Sequence, residues 1–464
     1  MCHIDFVIFS LENGGFMWYT IKSTMAYKKF LYLNKGEIHL MELMKMSKSE
    51  LEAFKADALK QYENFKALGL KLDMSRGKPS PQQLDLSMGL LNCLSADDYK
   101  SENGMDCRNY GMLDGIPEAK RLFSKMIDVN EDEIIVFGNS SLNIMFWTIQ
   151  TAFTHGILGG TPWAKLDKVK FLCPAPGYDR HFAICEFFGI EMITVPMGEN
   201  GPDMDMIEKL VAEDESIKGI WCVPQYSNPE GVVYSDETVK RFANLKPKAK
   251  DFRIFWDNAY CIHHLTDDTS RILSILAEAK KAGNDNIVYT YGSTSKITLA
   301  GAGVAVMGTS VENIASLKKA MTISTISFDK MNQLRHVKYF GTYENLVEYM
   351  KKHRALLEPR FKAVTSALEK EIKPYGIGNW LNPKGGYFVS FNSLSGCAKR
   401  IVELCKNAGV TLTNAGATFP YGKDPEDRNI RIAPSYPSVE ELEKAMELFI
   451  ICVKLASAEK LLAE

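Results

Sequence analysis

The sequence predicts an α/β protein with a large, mostly parallel sheet covered by helices on both faces and a smaller α+β domain attached to it. From residue 113 onward, short runs of β-branched and aromatic residues alternate with helical periods, an order typical of parallel sheets. After about residue 340 the pattern changes to long charged helical stretches with short strands between them. The two parts of the chain are therefore expected to fold into domains of different kinds.

Seven runs are predicted to be strands of the large sheet, and the stretches between them are predicted to be helices. The predicted strands are 133–137, 168–172, 191–195, 219–223, 253–256, 287–291 and 304–307. The predicted helices between them include 141–153, 203–212 and 235–244. Ligands of such sheets bind where the strands end, so the residues that follow each strand are the first candidates for a site.

The smaller domain is predicted from one long helix and several short elements near the C-terminus. These are helices over 344–372 and 397–407, strands at 387–391 and 429–432, and a terminal helix from residue 439. A helix over 49–68 is expected to join them. The predicted division is an N-terminal extension at 1–45, a segment joining the small domain at 46–87, the large domain at 88–340 and the small domain at 341–464.

Residues 1–45 differ from the rest of the chain because they are aromatic-rich and irregular. One hypothesis is that translation starts at Met41, Met44 or Met46, so that the extension reflects a wrongly assigned start. The alternative is an ordered N-terminal arm. The intact mass of the native protein would distinguish them, because a species that retains Met1 would exclude the first hypothesis.

The composition favours a small-molecule protein over one that binds nucleic acid or membranes. Of the 464 residues, 46% are hydrophobic and 24% charged, which is enough apolar material for a large core. The formal net charge of -2 gives no electrostatic reason to expect an anionic polymer or membrane as partner. The ten cysteines form no metal-binding spacing, and no apolar run approaches the roughly 18 residues that span a bilayer. We expect reduced thiols, no metal and a cytoplasmic location.

Lys296 is the first candidate for a reactive residue. The predicted strand 287–291 stops at Gly292, which leaves Lys296 on a loop at the end of a buried strand. A lysine among apolar walls and other cations can lose its proton near neutral pH and form a Schiff base with a carbonyl. Ser293 could offer its hydroxyl to an anion nearby. The pattern is weak alone, since most lysines near serines are solvated.

Asp257 ends the apolar run 253–256, and Tyr260 follows it. A buried aspartate needs a cationic partner, and a protonated ring nitrogen would serve. Tyr260 could then donate to an oxygen on the same ring. A solvated turn aspartate or a helix cap is the alternative.

Other polar and aromatic residues follow the remaining strands. Asn228 lies in a turn after one strand, where its amide could bind a phenolate oxygen or simply stabilise the turn. Residues 138–141, Gly138-Asn139-Ser140-Ser141, connect a strand to a helix and suit either phosphate binding or simple capping. Tyr178 could stack on a flat heterocycle.

Arg431 lies inside an apolar strand of the predicted small domain, and Tyr110 lies on a loop that leads to a helix beginning near Pro117. A guanidinium in apolar surroundings requires a carboxylate. A bidentate contact with a substrate α-carboxylate would satisfy it.

In their order along the chain these motifs resemble those of the class I pyridoxal-phosphate-dependent aminotransferases of fold type I. The motifs are Tyr110, residues 138–141, Tyr178, Asn228-Pro-x-Gly231, Asp257-x-x-Tyr260, Ser293-x-x-Lys296, Pro383 to Phe388 and Arg431. The match covers roughly residues 48 to 460. Residues 75–80 and the surroundings of Lys296 are more similar to the atypical bacterial aspartate aminotransferase branch.

The resemblance implies a role for each motif around pyridoxal 5'-phosphate (PLP). Lys296 would hold the cofactor as a Schiff base and then move the substrate Cα proton, and Asp257 would keep the ring nitrogen protonated. Asn228 and Tyr260 would bind the ring hydroxyl, and Tyr178 would stack on the ring. The phosphate would be held by residues 138–141 and Ser293, joined by Tyr110 from a neighbouring subunit of a homodimer. Arg431 would bind the α-carboxylate.

One position departs from the family pattern. The family commonly carries a phosphate-binding arginine eight residues after the lysine, and this position is Val304 here. Either the backbone amides of the glycine-rich segment 300–305 compensate, or the phosphate site is weaker. Spacing of Gly-x-Gly-x-x-Gly is lacking, which argues against a nicotinamide dehydrogenase.

The resemblance implies transfer of the amino group of a dicarboxylic amino acid to 2-oxoglutarate by a ping-pong mechanism. Aspartate is the preferred candidate for the donor, and the reaction would belong to amino-acid metabolism. Gly77 and Arg76 are expected at the substrate, and Arg76 or Arg335 would bind its distal carboxylate. The alternatives are an alanine or broad-specificity aminotransferase, a β-lyase, and a non-enzymatic aminotransferase-like regulator. Residues 1–47 are too short and not basic enough for the DNA-binding module that such a regulator would need.

Overall fold

The computed structural model describes residues 42–268 and 271–464 in full, and of residues 1–41 it describes only the backbones of Phe9–Ser10 and Phe16–Met17. These two short segments pair as antiparallel strands. The predictions for the N-terminal extension, including an alternative start, fall largely on residues outside this description.

The bounds of the regular elements follow in chain order. The strands are β1 (Phe9–Ser10), β2 (Phe16–Met17), β3 (Leu72–Asp73), β4 (Ile134–Val136), β5 (Lys170–Ala175), β6 (Glu191–Gly198), β7 (Gly201–Pro202), β8 (Ile217–Cys222), β9 (Arg253–Asp257), β10 (Val288–Ser293), β11 (Ala305–Thr309), β12 (Gly378–Trp380), β13 (Val389–Ser393), β14 (Val410–Thr411) and β15 (Asn429–Ile432). The helices are α1 (Lys48–Lys66), α2 (Pro81–Asp85), α3 (Pro117–Ile127), α4 (Ser141–His155), α5 (Asp179–Phe187), α6 (Met204–Glu213), α7 (Asp236–Ala243), α8 (Ile275–Lys281), α9 (Val311–Ser324), α10 (Lys330–Phe340), α11 (Tyr343–Glu371), α12 (Ala398–Asn407) and α13 (Val439–Ala463).

Eight strands form the large sheet, in the order β4-β11-β10-β9-β8-β5-β6-β7. The five from β10 to β6 are parallel to their neighbours. Strand β11 is antiparallel to both β10 and β4, and the short β7 is antiparallel to β6. The sequence-based prediction of a mostly parallel α/β sheet is confirmed, and all seven predicted strands belong to it.

The central strands are buried on both faces because each face packs against its own apolar core. Along β9, Phe255 packs into a core with Phe171 and Trp221, while Ile254 and Trp256 pack into the opposite core. This alternation follows from the two-residue repeat of a strand. A sheet buried in this way presents its ligand-binding residues only at the strand ends.

A second, three-stranded antiparallel sheet, β12-β13-β15, packs with α12 and α13 around another core. Helix α1, capped by Ser47 and Glu50, packs along α13. Helix α11 contributes Leu346 and Met350 to a core beside the large sheet and Leu357 and Phe361 to the core of the small one. The division at residue 340 stays a prediction, and α11 ties the two regions together.

Among the described residues, no helix is long and apolar enough to cross a membrane. In the same part of the chain, no group of three or more His, Cys, Asp and Glu side chains could hold a metal ion.

Candidate active site

Four predicted residues stand at the carboxyl ends of four parallel strands. Tyr178 follows β5, Asn228 follows β8, Asp257 is the last residue of β9, and Lys296 follows β10. Parallel strands end at the same edge of a sheet, so the topology gathers residues that are far apart in sequence. In the β9–β10 register, Asp257 lies opposite Tyr291, five residues before Lys296.

Lys296 is partly buried and lies over aromatic rings. Its Nζ atom is 4.9 Å from the centroid of the Tyr260 ring and 5.8 Å from that of Tyr387. Burial lowers the pKa of the Lys296 amine, and the negative charge of Asp257 opposes this effect. A lysine whose pKa is lowered carries more of the unprotonated amine at neutral pH, the form that attacks a carbonyl.

The backbone of Lys296 is anchored by two buried side chains. The Tyr387 hydroxyl donates to the Lys296 carbonyl at 3.3 Å, and His263 Nε2 lies 3.4 Å from the same oxygen. Burial, with a smaller effect of the Lys296 charge, lowers the pKa of His263 well below its usual value. His263 is therefore neutral at pH 7 and can donate one ring N–H to this carbonyl.

Asp257 is only 3% exposed, which excludes the solvated-turn alternative. Its Oδ2 atom lies 3.1 Å from Nε2 of His181, and the His181 ring stacks on Trp221 with centroids 4.3 Å apart. The other carboxylate oxygen, Oδ1, is buried and has no hydrogen-bond partner among the described residues. A buried carboxylate oxygen without a partner is costly, and a protonated ring nitrogen would satisfy it.

The two phenols near Asp257 are held in their protonated form. Burial raises the pKa of Tyr178 to about 12, helped by the negative charges of Asp257 and Asp179. Burial also raises the pKa of Tyr260 well above its usual value, with smaller contributions from Tyr178 and Asp257. Both hydroxyls are therefore hydrogen-bond donors at neutral pH. Asn228 is buried beside them, and its Oδ1 atom accepts from Arg431 Nη1 at 3.3 Å.

Residues 138–141 connect β4 to α4. Ser140 is the N-cap, and its hydroxyl accepts from the backbone N–H of Asn143 at 3.4 Å. The capping alternative therefore holds for Ser140, while Ser141 is the first helical residue. A Cβ built on Gly138 would meet no atom within 4 Å, so there is open space at this turn.

The loop after β10 meets this turn. The Ser295 hydroxyl donates to the Asn139 carbonyl at 3.2 Å, and Ser293 donates to the Ser295 hydroxyl at 3.1 Å. The Asn139 amide donates to the carbonyl of Gly301 at 3.3 Å. The hydroxyls of both segments and the helix N-terminus thus come together at one place, an arrangement suited to a phosphate group.

Val304 contributes no charge to this place because its side chain is apolar, and that side chain is buried. Its N–H donates to the Thr294 hydroxyl at 2.9 Å, and the N–H of Ala302 donates to the Leu299 carbonyl at 2.9 Å. These two amides of the glycine-rich segment are therefore engaged within the protein and are not available to an anion.

Arg431 extends from β15 of the small sheet toward the edge of the large sheet, and its side chain is 7% exposed. Its Nη1 atom lies 2.9 Å from Oδ1 of Asp179, and Nη2 donates to the Thr413 hydroxyl at 3.4 Å. The guanidinium carbon lies 4.9 Å from the centroid of the Phe388 ring. The contact with Asn228 joins Arg431 to the group around Asp257.

Four further predicted residues differ in their distance from this group. Gly77 packs against the Phe388 ring and so lies near Arg431, whereas the side chain of Arg76 is exposed. Arg335 lies on α10, where its Nη2 atom donates to Asn332 Oδ1 at 2.5 Å. Tyr110 is 72% exposed on the loop before α3.

Sequence reasoning missed Asp179, His181 and His263. His181 lies three residues after Tyr178, the spacing that places two side chains on one helical face. Asp179 begins α5, and its contact with Arg431 spans 252 residues. The spacing from Tyr178 was a local signal that could have identified His181. Asp179 had no such signal, because its partner is distant in the sequence.

Comparisons with known proteins show the family to which the chain belongs. The family model described as aspartate amino-transferase matches residues 46–464. An aspartate aminotransferase from Corynebacterium glutamicum is 44% identical over 407 residues, which cover 88% of this chain and 94% of that protein. The crystal structure of an aspartate transaminase from the same species has a TM-score of 0.89 at 43% identity, covering 91% of this chain and 100% of that one. LysN, an α-aminoadipate aminotransferase from Thermus thermophilus, shares the fold at 19% identity and a TM-score of 0.67, over 90% and 96% of the two chains.

The fold and the site define a PLP-dependent aminotransferase of fold type I. The chain belongs to the aspartate aminotransferase family, in class I of these enzymes. Its cofactor is PLP, and the residues present fit that group, since the unpaired oxygen of Asp257 and the open turn at Gly138 are compatible with a ring nitrogen and a phosphate. Its substrates are an amino acid and an oxo acid.

Proposed function

We propose that this enzyme transfers the amino group of aspartate to 2-oxoglutarate in a ping-pong reaction. The observation that carries the amino-acid part of the proposal is the buried guanidinium of Arg431, which donates to Asn228 at the sheet edge that also carries Asp257 and Lys296. This contact suits the α-carboxylate of any amino acid. The 44% identity to an aspartate aminotransferase over most of both chains supports aspartate as the amino donor.

When bound, PLP supplies an electron sink for the negative charge that develops at the substrate Cα. We assign the proton transfer at that carbon to Lys296, because burial lowers the pKa of its amine. Asp257, held in place by His181, would bind the ring nitrogen. Asn228 and Tyr260 would donate to the ring oxygen, and Tyr178 would pack against the ring.

The phosphate would be bound by residues 138–141 together with Ser293, and Arg431 would bind the α-carboxylate. Gly77 lies against Phe388, and Arg76, the residue before it, is a candidate for binding the distal carboxylate. Arg335 is a weaker candidate, because its guanidinium is already bonded to Asn332.

A titration followed by absorbance tests the reaction. Aspartate should shift the visible spectrum of the holoenzyme, and 2-oxoglutarate should then restore it. Arg431→Ala should raise KM for every amino acid tried, because the α-carboxylate is common to all of them. If alanine shifts the spectrum and aspartate does not, the aspartate assignment is wrong and the broad-specificity or alanine alternative replaces it. Release of sulfide, pyruvate and ammonia from cysteine, whose thiol is a leaving group at Cβ, in the absence of an oxo-acid acceptor would favour the β-lyase.

We further propose a cytoplasmic homodimer in which Tyr110 reaches the phosphate site of the partner. Tyr110 is 72% exposed, an unusual position for a tyrosine unless another surface covers it. A complementation experiment tests this arrangement. Tyr110→Ala and Lys296→Ala subunits, unfolded and reassociated together, should show more activity than the sum of the two variants, because the hybrid contains one intact site. Activity equal to that sum would argue against a shared site.

A further inference from the structure

The contact between Arg431 and Asp179 has no role in the reaction proposed above. The two side chains form an ion pair of 2.9 Å, in which Arg431 is 7% exposed and Asp179 is 34% exposed. A guanidinium this buried would be costly without a counter-charge, and Asp179 provides that charge.

The two hydrogen-bond partners of Arg431 Nη1 differ in how easily a substrate can displace them. Asn228 is buried and neutral, and its Oδ1 atom accepts from Nη1 at 3.3 Å. Asp179 is charged and partly exposed, and it occupies the first position of α5. A rotation of its side chain would bring the carboxylate into water, where the helix N-terminus still favours its negative charge. Asp179 is therefore the partner that can leave.

The geometry of the guanidinium also limits where a substrate carboxylate can bind. The Nε atom of Arg431 is buried and has no partner among the described residues. A carboxylate can satisfy the edge that contains Nε or the fork formed by the two Nη atoms, and Asp179 contacts the fork. Asp179 already holds Nη1, while Nη2 has only the 3.4 Å contact with Thr413. A bidentate contact on this fork requires the atom that Asp179 occupies.

We propose that Asp179 is an internal competitor for the substrate α-carboxylate: it neutralises Arg431 before the substrate binds and is displaced by the substrate. The proposal rests on the assignment of Arg431 as the carboxylate-binding residue. Its consequence is that Asp179 weakens the binding of every substrate by the free energy of its own contact. It also keeps the guanidinium oriented between turnovers.

Asp179→Asn tests the proposal, because the amide keeps the size of the side chain and removes its charge. The substitution removes a charge-assisted hydrogen bond that the substrate must otherwise displace. The binding free energy regained should lower KM for aspartate about tenfold. The effect should fall on KM rather than on kcat. Asp179→Glu, which retains the charge, should stay close to the parent enzyme. Asp236→Asn is the matched control, since Asp236 is also the first residue of a helix, α7, which packs against α6 and α8.

A binding measurement removes the dependence on turnover. Succinate has the carboxylates of the substrate but no amino group, so its dissociation constant can be measured by calorimetry on the holoenzyme. Asp179→Asn should bind succinate about tenfold more tightly than the parent enzyme does. The same substitution in an Arg431→Ala background should have no effect on binding.

The outcomes separate the two proposals. If Arg431→Ala leaves KM and succinate binding unchanged, Arg431 is not the carboxylate-binding residue. The proposal that Asp179 competes for it is then wrong as well. Suppose instead that Arg431→Ala raises KM and weakens succinate binding, but Asp179→Asn also raises KM. Asp179 then orients the guanidinium in the substrate complex and is not displaced. An unchanged KM in Asp179→Asn would also overturn the competitor, while leaving the role of Arg431 intact.

Discussion

Substitution of Gly77 by alanine should reduce substrate affinity through a steric effect on the Arg431 site. A Cβ at Gly77 would lie 2.3 Å from Cζ and 2.7 Å from Cε1 of Phe388, far inside van der Waals contact. The backbone at Gly77 is not in the left-handed region, so the alanine itself introduces no backbone strain. The Phe388 ring must therefore move, and it is the ring against which the Arg431 guanidinium packs at 4.9 Å.

Overpacking of this kind costs about 1–3 kcal/mol. If the clash destabilises the enzyme–substrate complex, KM for aspartate rises about 5- to 150-fold. If it destabilises the folded protein relative to the unfolded chain, Tm falls instead. Steady-state kinetics and thermal unfolding of Gly77→Ala measure the two effects separately.

A second substitution tests whether the cause is the contact with Phe388. Phe388→Leu removes the ring atoms that the new methyl group would meet, so the double variant should recover part of the loss. Gly198→Ala is the control, because a Cβ there meets its nearest atom at 3.4 Å, an ordinary contact. A Gly77→Ala enzyme with both KM and Tm unchanged would refute the reasoning.

Three further predictions concern the cofactor site and the pH dependence of stability. Asp257→Asn should lower kcat by about a hundredfold or more, since an amide cannot neutralise a protonated ring nitrogen; activity with excess PLP measures this loss. Ser293→Ala should weaken PLP retention, seen as faster loss of absorbance on dialysis, while a Ser295→Ala enzyme that loses PLP equally fast would show that the Ser293 hydroxyl acts only through its bond to Ser295. Burial lowers the pKa of His336 to about 4, below the value of 6.5 expected in the unfolded chain, so its contribution to stability is complete above pH 6.5 and is lost as the pH falls toward 4. That contribution is about 3 kcal/mol, and His336→Gln should show a smaller decrease in the urea midpoint between pH 7 and pH 4 than the parent does, whereas equal decreases would contradict the prediction.

The strands of the large sheet could be predicted because they are buried on both faces. A strand such as β9 contains consecutive apolar residues, and that local pattern depends on burial rather than on which strand lies beside it. The site residues at the strand ends could be proposed for the same reason, since Asp257 and Lys296 interrupt or follow such runs. Boundaries were less accurate: the predicted strand 387–391 is Val389–Ser393 in the structure.

The order of the strands and the contacts between distant residues were decided by the tertiary structure. Strand β11 is antiparallel within an otherwise parallel region, a feature that its apolar composition does not encode. The His181–Asp257 contact joins residues 76 positions apart. The contact between Arg431 and Asp179 joins strand β15 of the small sheet to the first residue of helix α5.

From the sequence alone, the fold class could be determined, and Lys296 and Asp257 could be proposed as site residues, because burial and strand ends leave local patterns. What surrounds Arg431 could not be determined in this way. Ion pairs between distant segments depend on three-dimensional distances, and the spacing of residues along a chain carries no information about them. Only the folded chain shows that the arginine assigned to the substrate already has a carboxylate partner.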